Sequence, residues 1–312
     1  MAELVYDNTG RLLFTKEMKE EYTLLVPQML PMHFAMLVRV IQTMGYKVEM
    51  LNTSGKSILD YGQKYVHNDA CFPAILVIGQ LIDAVKSGKY DPHKVALFIT
   101  QTGGGCRASN YIHLLRKALK KAGMEYIPVI SVSFGLEKNP GFSLTLPFIR
   151  KALYAVFYGD LLMNVSNQVR PYEVNPGDTD RAIRVCMDFL LDDMGRGKGM
   201  SYKSMIANFD RIIDRFQAIP VAGEPKVRVG VVGEIYVKYS PLANNHLEDF
   251  LISEGCEPVV PTLLEFILYC AANSETNSHL YDYRNFKTLA FGLGYKFLHS
   301  KQVQMIRAIQ KH

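Results

Sequence analysis

Between residues 22 and 132 the chain alternates short apolar runs with amphipathic stretches, and this alternation narrows its fold more than any other feature. Residues 22–26, 46–51, 95–100 and 127–132 read as strands. Residues 31–41, 74–87 and 110–122 carry apolar side chains at helical spacing, and Gly45, Gly88 and Gly123 stand where each helix would close. Strands joined through helices pair in parallel, with right-handed crossovers. The expectation is an open, doubly wound α/β sheet of the Rossmann or flavodoxin-like kind over residues 21–165, after a polar lead-in over 1–20.

Beyond it the helical pattern dominates, and residues 166–222 read as a helical connection. Residues 144–157 form an apolar helix interrupted by Pro147. Residues 167–180 read as a polar loop, in which Arg170, Pro171, Tyr172 and Glu173 are exposed without an assigned role. Helices over 181–194 and 201–218 flank the run Gly195-Arg196-Gly197-Lys198-Gly199, read as a flexible turn. Residues 222–225 are the best linker. A strand over 226–233, a helix over 244–253 and a strand start over 257–261 then open a second doubly wound domain, residues 223–312. That stretch is short for such a domain, so it reads as truncated, ending in a helix over 281–312.

Length allows about two domains, and the 312 residues are 48% hydrophobic and 21% charged. The net charge of +5 is scattered, which argues against a nucleic-acid surface. Glu3, Asp7 and Arg11 spoil any signal peptide, and no apolar run reaches the roughly 18 residues of a membrane helix. Five cysteines without a regular framework do not suggest disulfides. A reducing cytoplasm is the expected setting, where paired cysteines point to metal or redox chemistry.

Two cysteines stand out. Cys71 directly precedes the helix over 74–87, and Cys106 follows a strand inside Gly103-Gly104-Gly105-Cys106. Both are expected at the carboxyl edge of the sheet, where open parallel sheets bind ligands. Helix N-termini favour thiolates, and glycines let the backbone approach a bulky group and offer it N–H donors. Their separation is far outside the C-x-x-C spacing of zinc and thioredoxin sites, so topology carries the argument. Metal ligation, most naturally of an iron–sulfur cluster, stands beside a zinc site or a redox thiol pair. Cys186, Cys256 and Cys270 read as core cysteines. Ser54-Gly55-Lys56-Ser57 is like the end of a P-loop, but Met50 stands where that motif needs glycine, so no nucleotide site is expected.

Three segments carry a resemblance: His67-Asn68-Asp69-Ala70-Cys71-Phe72-Pro73, Thr102-Gly103-Gly104-Gly105-Cys106-Arg107-Ala108-Ser109-Asn110-Tyr111, and Gly233-Glu234-Ile235-Tyr236-Val237-Lys238-Tyr239-Ser240-Pro241-Leu242. They resemble the 2-hydroxyacyl-CoA dehydratase superfamily, which includes benzoyl-CoA reductase subunits and double-cubane cluster proteins. The match is nearest to its acyl-CoA dehydratase activase-like branch and extends from about Glu20 to His312. The resemblance implies a 4Fe–4S or larger cluster held by Cys71 and Cys106, with Gly103, Gly104, Gly105 and Asn110 around it. It implies electrons delivered by an ATP-hydrolysing iron–sulfur activator, and an enzyme component of the dehydratase (lyase) or ATP-coupled reductase type. His67 and Asp69 would tune the Cys71 thiolate or move protons. Glu234 and Tyr239 would line a cleft between domains; the plainer reading there is a helix start capped by Asn244 or Asn245. The family's third cysteine, in a Phe-Gly-Cys-Leu-Pro-like stretch, has no counterpart here. Either a homo- or heterodimeric partner completes the site, or the chain is a cluster-free or fragmentary scaffold of an activase-type system.

Overall fold

The four apolar runs assemble into one parallel sheet. The computed structural model describes residues 2–67, 69–100, 106–132, 137, 139–282 and 286–311. Helix α1 (Lys16–Glu21) leads into strand β1 (Thr23–Pro27), followed by α2 (Pro31–Gln42), β2 (Lys47–Leu51), α3 (Lys56–Tyr65), α4 (Phe72–Lys86), β3 (Val95–Thr100), α5 (Tyr111–Lys121) and β4 (Val129–Val132). The strand order is β2-β1-β3-β4, every neighbouring pair parallel. Leu24, Leu25 and Val26 of β1 and residues 95–99 of β3 are all buried, which is why the inner strands read as unbroken apolar runs. Edge strand β2 alternates instead, with Lys47 exposed and Val48 buried. Successive strands are laid to one side of β1 and then to the other. The reversal falls between β1 and β3, the position at which open parallel sheets bind ligands.

Helix α3 is absent from the sequence expectation. Its N-cap, Gly55, offers no side-chain hydrogen bond, and its buried face is just Ile58, Gly62 and Tyr65. It packs antiparallel on α4 with the backbones touching. A Cβ on Gly62 would lie 2.2 Å from the Ile75 carbonyl oxygen, and one on Gly79 2.1 Å from that of Ile58. Both positions therefore require glycine. Gln80 of α4 donates to the carbonyls of Leu51 and Thr53, just past β2, at 3.4 and 3.1 Å. The N-terminal half of α4 thus projects beyond the carboxyl edge of the sheet.

After β4, helix α6 runs over Leu146–Val169, with Pro147 in its first turn rather than interrupting it. Then come α7 (Asp178–Gly195), α8 (Tyr202–Gln217), β5 (Arg228–Gly230), α9 (Ile235–Tyr239), α10 (Pro241–Asn244), α11 (Leu247–Ser253), β6 (Glu257–Val259), α12 (Leu263–Leu280) and α13 (Phe286–Lys311). Strands β5 and β6 form a two-stranded parallel sheet. The chain divides into two compact units, Met1–Ile149 with Ile235–Asn245, and Arg150–Glu234 with His246–His312. Helices α9 and α10 therefore belong to the first unit although the chain on either side belongs to the second. Among the described residues no helix is long and apolar enough to cross a membrane.

The second unit is pinned by buried polar side chains. Tyr158 donates to the Gly199 carbonyl at 2.5 Å and accepts from Asn208 Nδ2 at 3.2 Å, so the glycine-rich run after α7 is a fastened turn. Asp160, fully buried, accepts from the backbone N–H groups of Leu263 and Leu264 at 2.9 and 2.8 Å, neutralising the positive end of α12. The segment expected to be exposed is likewise fastened. Pro171 is buried, Tyr172 Oη donates to Glu257 at 2.9 Å, and Glu173 accepts from the N–H groups of Gly177 and Thr179, each at 2.7 Å, at the start of α7. The linker residues pair with it, Ala222 N donating to the Tyr172 carbonyl at 2.9 Å.

Candidate functional site

The turn between α3 and α4 sets Cys71 at the N-cap of α4, with Phe72 and Pro73 forming the first turn. Proline costs little there because its missing N–H would have no helical partner. Cys71 is half-buried, and its carbonyl accepts from Ala74 N at 3.0 Å. Its side chain makes no capping hydrogen bond to the start of α4.

Cys106 is the N-cap of a short 3-10 turn, Arg107–Asn110, that feeds into α5 beyond the carboxyl end of β3. Its side chain is exposed, and its Sγ accepts from Ala108 N at 3.5 Å. Tyr111, the first residue of α5, brings its hydroxyl within 3.1 Å of Cys71 Sγ. The segment that carries Cys106 thus touches the sulfur of the other cysteine, and both segments meet at the sheet's carboxyl edge.

A third segment joins them. Tyr236 of α9 is buried in the same apolar cluster as Leu25, Leu97, Tyr65 and Val66, against which Ala70, Tyr111, Leu242 and Ala243 are half-buried. All three stretches singled out in the sequence therefore contribute residues to the core of the first unit. Tyr239 is buried, with Lys238 Nζ 4.3 Å from its ring centre, so it is a core residue rather than a cleft wall. Asn244 does not cap the start of α11; its Nδ2 donates to the Lys238 carbonyl, in the last turn of α9, at 3.1 Å. Asn245 takes a left-handed conformation, φ 55°, and His246 stands at the N-cap of α11.

The remaining candidates divide plainly. His67 and Asp69 are exposed side chains of the α3–α4 turn, the His67 carbonyl accepting from Ala70 N at 3.1 Å. Asn110 and Glu234 are exposed. Gly103, Gly104 and Gly105 lie outside the described residues. Cys186 is a core cysteine, its thiol pushed up to about 11 by burial despite two nearby arginines. Cys270 is exposed on α12 and Cys256 half-buried, which corrects the expectation that both are core. Cys186, Cys256 and Cys270 all belong to the second unit.

Helix α5 is held by charge as well as by packing. Arg116 forms two bonds of 2.8 Å to Glu137, which also takes Arg11 at 3.1 Å. Burial acts to raise the Glu137 carboxyl, but the two guanidiniums overcome it and hold the group below its ordinary range. Beside this network lies a cavity of about 640 Å³ lined by Arg11, Leu13, Ser131, Glu137, Asn139 and Phe142, among others.

As metal ligands the two rim cysteines are a partial set. Their sulfurs are soft donors at helix starts, of a kind that iron or zinc accepts. Yet among the described residues no three His, Cys, Asp or Glu side chains are grouped to hold a metal ion. Tyr111 is the residue that sequence reasoning missed at this rim; its place at the first position of the helix after Cys106 is the signal that could have found it. Comparison with family models, curated proteins and solved structures found no match to this chain.

Proposed function

We propose that this chain is an iron–sulfur component of the 2-hydroxyacyl-CoA dehydratase type, built as two doubly wound α/β domains, in which Cys71 and Cys106 are two of the cluster ligands. One observation carries the reading: the 3.1 Å approach of Tyr111 Oη to Cys71 Sγ, which joins the two cysteine segments at the sheet edge where such folds bind ligands. A 4Fe–4S or larger cluster, when bound, supplies a low-potential electron to an acyl-CoA thioester or another small reducible substrate. The turn before α5 presents the Ala108 N–H to the Cys106 sulfur, and in this reading, as the resemblance implies, Gly103, Gly104, Gly105 and Asn110 would contact the cluster. In this reading His67 and Asp69, which are exposed shortly before Cys71 in the chain, tune its thiolate or move protons. In this reading ATP is hydrolysed by a partner activator, a second subunit completes the coordination, and the setting is an oxygen-poor cytoplasm.

The test is reconstitution of the full chain with iron and sulfide under anaerobic conditions, read by metal and sulfide content, absorbance and EPR. The parent is expected to hold a cluster, and Cys71→Ala and Cys106→Ala each to lose it. Variants that retain the parent's iron would show the ligand assignment to be wrong. A second reading, a cluster-free scaffold for an activase-type system, is favoured by the lack of a three-ligand group among the described residues. It predicts a parent that takes up neither iron nor sulfide.

A further inference from the structure

We infer that the cavity beside the Arg11–Glu137 pair binds a neutral, largely apolar molecule that carries a hydrogen-bond acceptor such as a ketone or amide oxygen. The inference needs no metal and stands apart from the function proposed above. The cavity belongs to the first unit, and its volume of about 640 Å³ is that of a small-molecule site.

The lining decides the class of occupant. Leu13, Phe142 and Leu144 give the cavity apolar walls. Its charged side chains, Asp7, Arg11 and Glu137, are already paired. Asp7 accepts from Arg11 Nε at 2.9 Å, and Glu137 accepts from Arg11 at 3.1 Å and twice from Arg116 at 2.8 Å. Two carboxylates thus face two guanidiniums, and a charged ligand would be desolvated there without a counter-charge of its own.

Asn139 supplies the polar contact. It is only 8% exposed, and its Oδ1 accepts from Phe14 N at 3.3 Å. A backbone N–H can bond only to the oxygen of the amide, so this contact fixes which way the side chain is turned and leaves its N–H2 group facing elsewhere. Among the described residues Nδ2 has no hydrogen-bond partner, and Asn139 lines the cavity. A nearly buried amide with unused donors is satisfied by an acceptor on the ligand.

The wall that carries Asn139 is formed in advance. Phe142 is buried, its ring centre 5.3 Å from that of Tyr46 and 5.6 Å from that of Phe98. Gly141 N donates to the Phe14 carbonyl at 2.8 Å, and Tyr46 Oη donates to the Gly141 carbonyl at 2.9 Å. A Cβ on Gly141 would lie 2.0 Å from the Thr15 carbonyl oxygen, so the two stretches touch through their backbones. Little ordering is then required when a ligand arrives.

The experiment titrates the full chain, without added iron, against three probes observed by fluorine NMR. Para-fluoroacetophenone has a ring and an acceptor, para-fluoroethylbenzene lacks the oxygen, and para-fluorobenzoate is charged. The ketone is expected to bind saturably and about two- to tenfold more tightly than the hydrocarbon, the worth of one neutral hydrogen bond, with the benzoate weakest. Asn139→Asp keeps an oxygen for Phe14 but deletes the N–H2 group, so the ketone should lose its advantage. If that variant does not fold, Ser143→Trp decides. Ser143 is an exposed lining residue, and an indole there should fill the cavity and abolish saturable binding of both uncharged probes. The chain has no tryptophan of its own, so the indole's emission also shows whether this variant is folded. A parent that binds no probe saturably, or that does not prefer the ketone to both others, overturns the inference. So does a Ser143→Trp variant with the parent's affinity, or a folded Asn139→Asp that still favours the ketone.

Discussion

Cys71 and Cys186 are the same residue in opposite settings, and the regions around them differ in the same way. Cys186 lies in the second unit, where buried and half-buried polar groups are bonded to backbone: Tyr158 to Gly199, Asp160 to the start of α12, Glu173 to the start of α7. Those side chains close off helix ends and turns, and burial pushes the Cys186 thiol up to about 11. Around Cys71 the polar groups face outward, with His67, Asp69, Asn110 and Cys106 all exposed. Polar groups spent on backbone stabilise a fold, whereas unspent ones at a sheet's carboxyl edge remain for ligands. The identity of the side chain says little about which of these it will be.

The sharpest break in this comparison comes from removing a spent group. Asp160→Ala strands two buried N–H donors at the start of α12 and deletes a charge that offsets the helix dipole. It is expected to cost about 3 kcal/mol of stability in urea unfolding. No rim substitution at His67 or Asp69 should cost as much, because surface changes usually lie within about 0.5 kcal/mol. If Asp160→Ala proves no worse than these, the buried polar groups are not the structural pegs described here.

Next in size is Gly79→Ala. The added methyl would meet the Ile58 carbonyl oxygen at 2.1 Å, so α3 and α4 must part. Overpacking of this kind costs about 1–3 kcal/mol. Because the two helices hold the turn that ends in Cys71, the variant should also lower iron uptake, in contrast to Asp160→Ala. Unchanged unfolding midpoints would mean that the helices do not touch through their backbones.

This helix pair also shows what could and could not be read from the residues alone. Strands β1, β3 and β4 were evident because a strand buried on both faces has little choice but to be apolar. Helix α3 was not, since its start lacks a side-chain cap and two glycine-mediated contacts take the place of an apolar stripe. Pro147 was read as a break because its effect depends on whether it falls in a first turn or an interior one. The positions of Cys71 and Cys106 at strand–helix junctions followed from local pattern. The return of α9 and α10 to the first unit did not, because which core a short helix joins depends on partners far along the chain. The apolar neighbours of Cys270 point to a core position, yet α12 leaves it exposed.

Thiol reactivity sharpens the contrast without unfolding anything. In native protein, iodoacetamide should label exposed Cys106 and Cys270 readily, Cys71 more slowly, and buried Cys186 last; peptide mass spectrometry over time reads the order. Loading with iron should protect Cys71 and Cys106 while leaving Cys270 as reactive as before. Equal protection of Cys270 would point to general occlusion and not to ligation.

The smallest expected effect is one of sign. Glu137 has its folded-state carboxyl below the ordinary value of 4.5, because the Arg116 and Arg11 bonds outweigh burial. Its contribution to stability is therefore present above that value and lost as pH falls through the folded-state pKa. Glu248 lies on the other side of 4.5: burial raises it, with the Asn167 amide bond at 2.6 Å only partly offsetting this. The folded state then holds its proton more tightly, so the contribution is full below 4.5 and lost as pH rises through the folded-state pKa. Glu137→Gln should blunt the loss of protection of α5 in acid, measured by hydrogen exchange. Glu248→Gln should instead blunt the weakening of α11 as pH rises from acid toward neutrality. If both substitutions change protection in the same pH direction, the carboxyl environments of the two units are not opposed, and the distinction between a pair of guanidinium partners and a single amide partner does not govern them.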